Sequence, residues 1–304
     1  RKFKSTSPTT ISARSDIELN SEAEREYMFD RIYRQEKERF YHVDMHGVDW
    51  DAMRDNYARF LPHINNNFDF QEMLSEILGE LNGSHTGARY YYRPSFTMAT
   101  IGAFFDEEHK GDGLKIKEIL KGGALYIQHP EIKAGDIIEK INGNAIVDGE
   151  DYFPLLNRIA GKRTLISIYR PDSKERWEEI IKPVSKGSIT SLLYKRWVKQ
   201  RAADVERLSG GRLGYVHIES MADGSFRTIY ADILGKYNHC DGIVIDTRFN
   251  GGGRLHEDVE ILFSGKKYLT QVIRGQESCD MPSRRWNKAS IMVQCEANYS
   301  NAHG

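Results

Sequence analysis

Residues 240–253 read CDGIVIDTRFNGGG, and this stretch decides the fold of the second half of the chain. Its first part, Cys240–Asp246, is a continuous apolar run of the kind that forms a strand buried on both faces of a parallel sheet. A helix is predicted to follow from Arg254 to Phe263. Upstream, a strand at Arg212–Ile218 and a helix at Phe226–Leu234 complete the order strand, helix, strand, helix. This order predicts an α/β sheet that binds its ligands at the carboxyl ends of the strands.

The glycine run Gly251–Gly253 lies between the buried strand and the next helix. Bare backbone N–H groups in such a run can approach a phosphate or a developing oxyanion closely. The glycines can equally serve only to permit a sharp turn. Neither of the glycine-rich nucleotide signatures is present, so a nucleotide site is poorly supported. The run by itself leaves an oxyanion hole and a simple turn as equal alternatives.

A single serine, Ser300, lies in the polar turn CEANYSNAHG at residues 295–304, directly after a predicted strand at Ser290–Val293. A serine at a strand-to-helix turn can act as a nucleophile, since the next backbone N–H groups can hold an oxyanion. Serine is also a preferred helix N-cap residue. The turn alone favours an N-cap role for Ser300, whereas the rest of the chain favours a role as nucleophile.

The N-terminal part, residues 20–82, is predicted to form three helices. A capping-box pattern at Ser21–Glu24 begins the first, and Asn82-Gly83 ends the third. The loop Ser84–Gly87 carries His85, which could be a positioned base, although a surface histidine is the plainer interpretation. His42 and His46 are spaced i, i+4 as two metal ligands could be, but no third ligand lies at a sensible spacing.

The middle part, residues 95–185, has predicted strands at its start and end, with a short helical stretch and an amphipathic helix at Tyr152–Ile159 between them. This order resembles that of a PDZ domain, and the segment Ala134–Gly143, AGDIIEKING, carries most of the resemblance. A PDZ groove binds a peptide by adding it as a strand at a sheet edge. The loop that would hold the peptide carboxylate, around Thr97–Phe105, is the least defined part of the pattern.

Composition limits the classes of function. The chain has 304 residues, 39% hydrophobic and 29% charged, which is enough for two or three globular domains. A net charge of −1 gives no reason to expect nucleic acid or an anionic membrane as partner, and no apolar run is long enough for a membrane span. Three cysteines without a CxxC pair argue against a disulfide framework or a zinc site and favour a reducing compartment. The chain starts without methionine, and we expect it to be a piece of a longer polypeptide.

Five segments in this order resemble the catalytic part of a tricorn-type protease, in the C-terminal processing (tail-specific) peptidase group. They are Asp44–Trp50, Leu78–Thr86, the PDZ-like segment, Asp246–Gly253 and Glu296–Asn301. The resemblance implies a multi-domain α+β fold. Residues 1–20 would be a linker or the end of an upstream domain, and 21–92 the helical N-terminal part of the protease core. Residues 93–186 would be the PDZ domain, and 187–304 an α/β catalytic core (ClpP/crotonase-like), truncated at its C-terminal end.

The resemblance also implies the roles of the site residues. Ser300 is the nucleophile, His85 the general base and later the acid, and Ser84 orients the histidine. The N–H of Asn301 and that of Gly252 or Gly253 form the oxyanion hole. Asn301 occupies a position where the tricorn protease has aspartate, which should matter little if only the backbone acts. The family's fourth catalytic residue, a downstream glutamate, and its upstream β-propellers are not in this chain.

The resemblance implies no cofactor and no metal. The expected substrates are peptides or unfolded polypeptides, and the expected assembly is a homo-oligomer. No nucleic acid or membrane span is expected, and the compartment is the cytoplasm, with the periplasm as the alternative. Two other functions stay open at this point. One is an inactive PDZ-containing peptide-binding scaffold. The other is a crotonase-like acyl-CoA enzyme, against which the PDZ insertion and the Ser84-His85 pair argue.

Overall fold

The structure is a computed structural model that describes residues 13, 15–16, 18–92 and 96–303. It divides into two compact units, an N-terminal unit, Arg1–Arg93, and a C-terminal unit, Pro94–Gly304. Most of the predicted linker at residues 1–20 lies outside the described residues. Among the described residues, no helix has both the length and the apolar character that a membrane crossing requires.

The N-terminal unit contains three α-helices, as the sequence predicts: α1 (Ser21–Arg39), α2 (Trp50–Ala58) and α3 (Asn67–Gly79). Short 3₁₀ turns lie between them at Met45–Gly47 and Leu61–His63. The capping box was placed one residue too late. Asn20, not Ser21, is the N-cap of α1, because its side chain accepts a hydrogen bond from Ala23 N at 3.1 Å.

A single apolar core holds these helices together. Its buried members come from all three helices and from the segments that join or follow them: Phe29, Met45, Trp50, Phe70, Met73, Leu74, Ile77, Leu78 and Leu81. Most belong to α3, whose apolar residues recur at three-and-four spacing and so form one stripe. Leu81 is fully buried just past the end of α3, so the loop that follows starts from a fixed point.

The first part of the C-terminal unit contains an antiparallel sheet, a short helix and one short strand outside that sheet. Its elements are β1 (Ala99–Thr100), β2 (Ala103–Phe105), β3 (Leu114–Ile119), α4 (Ala124–Gln128), β4 (Ile137–Ile141), β5 (Asn144–Ala145), β6 (Thr164–Arg170) and β7 (Glu175–Ile181). The strands follow the order β2-β3-β4-β6-β7, and β5 pairs with β4. The predicted amphipathic helix at Tyr152–Ile159 is wrong: only a 3₁₀ turn, Phe153–Leu156, forms. Asn157 is extended and Arg158 has a positive φ of 64°, so the helix cannot continue.

The second part begins with β8 (Val184–Ser185), which pairs with β1, and the long helix α5 (Lys186–Ser209). Strands β9 (Leu213–His217) and β10 (Gly242–Asp246) follow, with α6 (Asp223–Ala231) and a single π-helical turn (Asp232–Lys236) between them. Then come α7 (His256–Ser264), the hairpin β11 (Leu269–Ile273) and β12 (Gln276–Met281), and β13 (Ala289–Val293). The strands β13, β10 and β9 form a parallel sheet in that order, as the apolar run at 240–246 predicts.

Candidate active site

The carboxyl edge of the parallel sheet collects the loops that follow its three strands. Asp246 of β10 is opposite His217 of β9 and Val293 of β13, so the three strands end at the same level. Backbone hydrogen bonds continue past the strands, from Ile218 N to Asp246 O and from Thr247 N to Val293 O, both at 2.9 Å. The glycine run and the Ser300 turn therefore lie at one edge.

Asn250 joins these three loops and is completely buried. Its side-chain amide donates to Ile218 O at 2.9 Å, and its side-chain oxygen accepts from Gly252 N at 2.8 Å. Its backbone carbonyl accepts from Tyr299 N at 3.0 Å. One asparagine thus fixes the loop after β9, the glycine turn and the residue before Ser300. The sequence shows only an asparagine before the glycine run, and the burial and partners of Asn250 come from the fold.

The two candidate glycines have different surroundings. A methyl group added at Gly252, which has a φ of 91°, would lie 2.6 Å from Ser300 Cβ and 2.7 Å from Tyr299 O. One added at Gly253 would lie 2.0 Å from Met221 O. Both positions therefore require glycine. The Gly252 N–H is already bound to Asn250, whereas the Gly253 N–H makes no hydrogen bond to any described residue.

Ser300 has a left-handed backbone conformation, with a φ of 57°, and is the first residue of a 3₁₀ turn, Ser300–Ala302. The N-cap position belongs to Tyr299, and no side chain caps the turn. The N-cap interpretation of Ser300 is therefore wrong. A positive φ is uncommon for residues other than glycine and is concentrated at functional sites, where the surrounding structure enforces it. In α/β-hydrolases, a strained turn of this kind exposes a serine nucleophile.

Two asparagines hold the serine turn against the glycine loop. Asn298, which is 6% exposed, donates from its amide to Thr247 Oγ1 at 2.9 Å and to Ala302 O at 3.0 Å. Asn301 donates from its amide to Gly253 O at 2.6 Å. Of the predicted residues in the C-terminal unit, the structure thus brings Ser300, Asn301, Gly252 and Gly253 together.

Ser84 and His85 belong to the N-terminal unit. The Ser84 hydroxyl and His85 Nδ1 are 2.7 Å apart, so the serine is placed to orient the ring. His85 has a φ of 68°, which makes it a second candidate residue with left-handed backbone. If Nδ1–H donates to Ser84, the other ring nitrogen, Nε2, carries a lone pair and can accept a proton.

His46 positions the loop that carries this pair. Its Nδ1 lies 2.9 Å from the carbonyl of Leu81, which can only accept, so Nδ1 carries the hydrogen. Its Nε2 lies 2.6 Å from Tyr41 Oη and accepts from the hydroxyl. Since both nitrogens of His46 have partners, the suggestion of a metal site with His42 has no support. The contact to Leu81 fixes the chain four residues before His85.

Next to the glycine turn, a buried ion pair fixes the start of its loop. Asp246 is 0% exposed and receives the Arg248 guanidinium through Nε and Nη2, the latter at 2.6 Å. The Tyr215 hydroxyl donates to the same carboxylate at 2.7 Å. Burial would raise the pKa of Asp246, but the hydrogen bonds from Arg248 and Tyr215 outweigh it and hold this pKa below its ordinary value.

Comparison with known families indicates the class of protein. Residues 212–304 match the family model of Peptidase family S41. Residues 21–79 match that of the Tricorn protease C1 domain. Both models describe peptidases, so the matches give the class of protein that this chain resembles.

The matching relatives are tricorn proteins, which confirms the resemblance to tricorn-type proteases. Tricorn protease homolog 1 of Streptomyces coelicolor is 29% identical over 245 residues, covering 77% of this chain and 23% of the relative. The tricorn protease homolog of Saccharolobus solfataricus is 28% identical over 215 residues, covering 67% of this chain and 19% of the relative. The crystal structure of the tricorn protease shares the mixed α/β fold with a TM-score of 0.68 at 19% identity, over 92% of this chain and 28% of that one. The chain thus spans about a quarter of these relatives or less.

Proposed function

We propose that this chain carries the catalytic residues of a serine endopeptidase that works through an acyl-enzyme. The observation that supports this best is the placement of Ser300. Ser300 lies in a strained left-handed turn at the carboxyl edge of a parallel sheet. It packs against Gly252, where an added side chain would clash with it. Such a turn exposes a hydroxyl beside bare backbone N–H groups, which is what acyl transfer requires.

In the proposed mechanism, Ser300 Oγ attacks the scissile carbonyl while its proton moves to Nε2 of His85. Ser84 accepts the Nδ1–H of His85 and so keeps the ring in the tautomer that can act as base. The protonated His85 then gives the proton to the leaving amine, and the acyl group stays on Ser300 as an ester. Water, deprotonated by His85, hydrolyses this ester and restores the serine.

The oxyanion hole in this proposal consists of the N–H groups of Gly253 and Asn301. Gly252 is the less suitable donor because its N–H is bound to Asn250. Neither the Gly253 nor the Asn301 N–H has a hydrogen-bond acceptor among the described residues. A donor of this kind typically contributes about 10²–10³-fold to kcat. The contact between Asn301 and Gly253 holds the two donors in fixed relation.

Residues 93–186 form the substrate-binding PDZ domain in our proposal. A groove of about 380 Å³ lies beside β2, and its lining includes Ala103, Phe105, Tyr152 and Leu156. Among the described strands, β2 pairs only with β3, so its other edge is open to an added strand. A peptide in extended form would bond to this edge and place alternate apolar side chains in the groove. We also propose a helical core part at residues 21–92 and an α/β core at residues 187–304.

Substrates, assembly and compartment follow from the resemblance. We infer peptides or unfolded polypeptides as substrates, since an open strand edge accepts extended chains. A homo-oligomer and a cytoplasmic location stay predictions.

The test uses a fluorophosphonate probe and a fluorogenic peptide on the full-length protein. Wild type should label and hydrolyse, and Ser300→Ala and His85→Ala should each lose both activities. Ser173→Ala, in an exposed turn, is the matched control and should behave as wild type. Peptide hydrolysis that persists in Ser300→Ala would contradict the nucleophile. A wild-type protein that neither labels nor cleaves would instead support a binding scaffold.

A further inference from the structure

Three side chains converge where α4 ends against β7: His129, Glu131 and Glu179. His129 Nδ1 lies 2.9 Å from Glu131 Oε1 and 3.4 Å from Glu179 Oε2. One ligand atom from each residue lies within 4.8 Å of the others. The histidine side chain is only 15% exposed, whereas the two carboxylates reach the surface. A small ion thus has access to a partly enclosed set of one nitrogen and two oxygens.

The hydrogen bonding of His129 creates a need for positive charge at this point. Its Nε2 lies 3.2 Å from the carbonyl of Ile180, which can only accept, so Nε2 carries a hydrogen. In a neutral ring, Nδ1 then has a lone pair that faces two ionised carboxylates. Three acceptors pointing at one another repel. A cation between them, either a proton on Nδ1 or a metal ion, removes this repulsion.

The neighbouring guanidinium of Arg170 makes no ion pair with Glu131 or Glu179. The Arg170 guanidinium donates to both oxygens of Asp136 at 2.7 Å, and reaches only the backbone carbonyl of Glu131, at 2.9 Å. Within the described part of the chain, His129 is the one ion-pair partner of Glu131 and of Glu179. The negative charge of the two carboxylates is therefore available to bind a cation.

The distances fit a metal ion. Zinc bound tetrahedrally at 2.0–2.1 Å separates neighbouring ligand atoms by about 3.3 Å. The two separations from His129 Nδ1, 2.9 and 3.4 Å, lie on either side of this value, and the two carboxylate oxygens lie within 4.8 Å of each other. The bond from Nε2–H to Ile180 O is the outer contact that normally orients a metal-binding histidine. We propose that His129, Glu131 and Glu179 bind one divalent transition-metal ion, Zn²⁺ in the first place, with water as the fourth ligand.

The fold holds the ligands in place without the ion. Gln128 pairs with the backbone of Lys182 in both directions, donating to its carbonyl at 3.2 Å and accepting from its N–H at 2.9 Å. This fixes the end of α4 against the end of β7. The ion would add a second clamp between the same two elements. Since the clamp would join the end of α4 to β7 of the antiparallel sheet, its effect should be on the stability of this part of the fold and not on acyl transfer.

The test measures metal binding to the chelator-treated protein by calorimetry with ZnCl₂ and by the visible spectrum with CoCl₂. Wild type should bind one ion per site with a Co²⁺ band typical of four-coordination, and its thermal midpoint should rise with Zn²⁺. His129→Ala should abolish this binding, and Glu179→Gln should weaken it by about tenfold or more. Glu175→Gln, an exposed glutamate on the same strand, is the control and should bind as wild type.

Two results would overturn the proposal. One is a wild-type protein that shows neither heat nor a Co²⁺ band, which would mean that a proton alone holds the three groups together. The other is unchanged affinity in both His129→Ala and Glu179→Gln. Peptidase activity plays no part in these measurements, so they stand or fall separately from the proposed function.

Discussion

Asn301 donates a hydrogen bond from its side-chain amide to the carbonyl of Gly253, at 2.6 Å. These are the two residues whose backbone N–H groups we assign to the oxyanion hole. The same amide lies 3.1 Å from His256 Nδ1. The resemblance implies that aspartate at this position would serve as well, because only the backbone acts. The structure gives the asparagine amide a contact that an ionised aspartate cannot make.

Asn301→Asp should therefore lower kcat, by about tenfold. The carboxylate loses the bond to Gly253 O, repels that carbonyl and places negative charge beside a developing oxyanion. Since the change acts on the transition state, KM should stay nearly constant. Steady-state kinetics on a fluorogenic peptide with the full-length protein measure both constants. His256→Ala, which removes only the second contact, should have little effect. An equally active Asn301→Asp would show that the amide contact is not needed.

The glycine run offers a matched pair of substitutions. Gly252→Ala forces a methyl group to within 2.6 Å of Ser300 Cβ, at a φ of 91° that alanine rarely adopts. Gly251 has no positive φ, and nothing lies within 4 Å of an added methyl group. We expect Gly252→Ala to lower fluorophosphonate labelling by about 10² or more, because either the serine or the loop must move. Gly251→Ala should label at the wild-type rate. Equal labelling of the two variants would mean that Ser300 does not pack on Gly252.

The sequence predicts those parts of the site that depend on local patterns. A continuous apolar run followed by glycines is a local signal, so β10 and its turn were found, as was the serine turn after β13. The contacts that hold the site together are not local. Asn250 bonds to Ile218 and Gly252, 32 and 2 residues away, and Asn298 bonds to Thr247, 51 residues away. Nothing in the run NGGG says which of these partners a buried asparagine will have.

The middle part of the chain, residues 95–185, shows a second reason why local sequence patterns do not predict the structure fully. The period of apolar residues at 152–159 favours a helix, but the left-handed Arg158 and the extended Asn157 end it after one turn. Likewise, the odd number of cysteines argued against zinc, whereas the candidate metal ligands are a histidine and two glutamates. Glu179 comes from a strand about 50 residues beyond His129, so only the folded sheet brings them together.

The His46 contact to Leu81 predicts that His46 is a positioning residue for His85. His46→Ala removes the donor and should lower kcat by about ten- to a hundredfold. His46→Asn should restore most of this activity, because the asparagine amide can occupy the place of Nδ1 and donate to Leu81 O. A residue that only fills space would not distinguish the two variants. His63→Ala is the control, since His63 is an exposed histidine in a different turn of the same unit. Equal kcat values for His46→Ala and His46→Asn would contradict the positioning role.

The buried pair of Asp246 and Arg248 makes the stability of the C-terminal unit depend on pH. Because the folded protein holds the pKa of Asp246 below its ordinary value, the pair stabilises the fold at any pH above the unfolded value of about 3.9. This contribution is lost as the pH falls from there through the folded pKa. Asp246→Asn should therefore lower the urea midpoint strongly at pH 7, and the difference from wild type should shrink below pH 4.

Asp241→Asn is the control for this effect, since Asp241 pairs with Arg212 on the surface, where its side chain is 62% exposed. Exposed pairs contribute about 1 kcal/mol or less, so this variant should unfold with the wild-type midpoint at both pH values. If Asp246→Asn matched it at pH 7, the buried carboxylate would not be holding the loop. Because that loop continues into Asn250 and the glycine turn, the loss of the pair should also lower fluorophosphonate labelling of Ser300 at pH 7 in the fraction that stays folded.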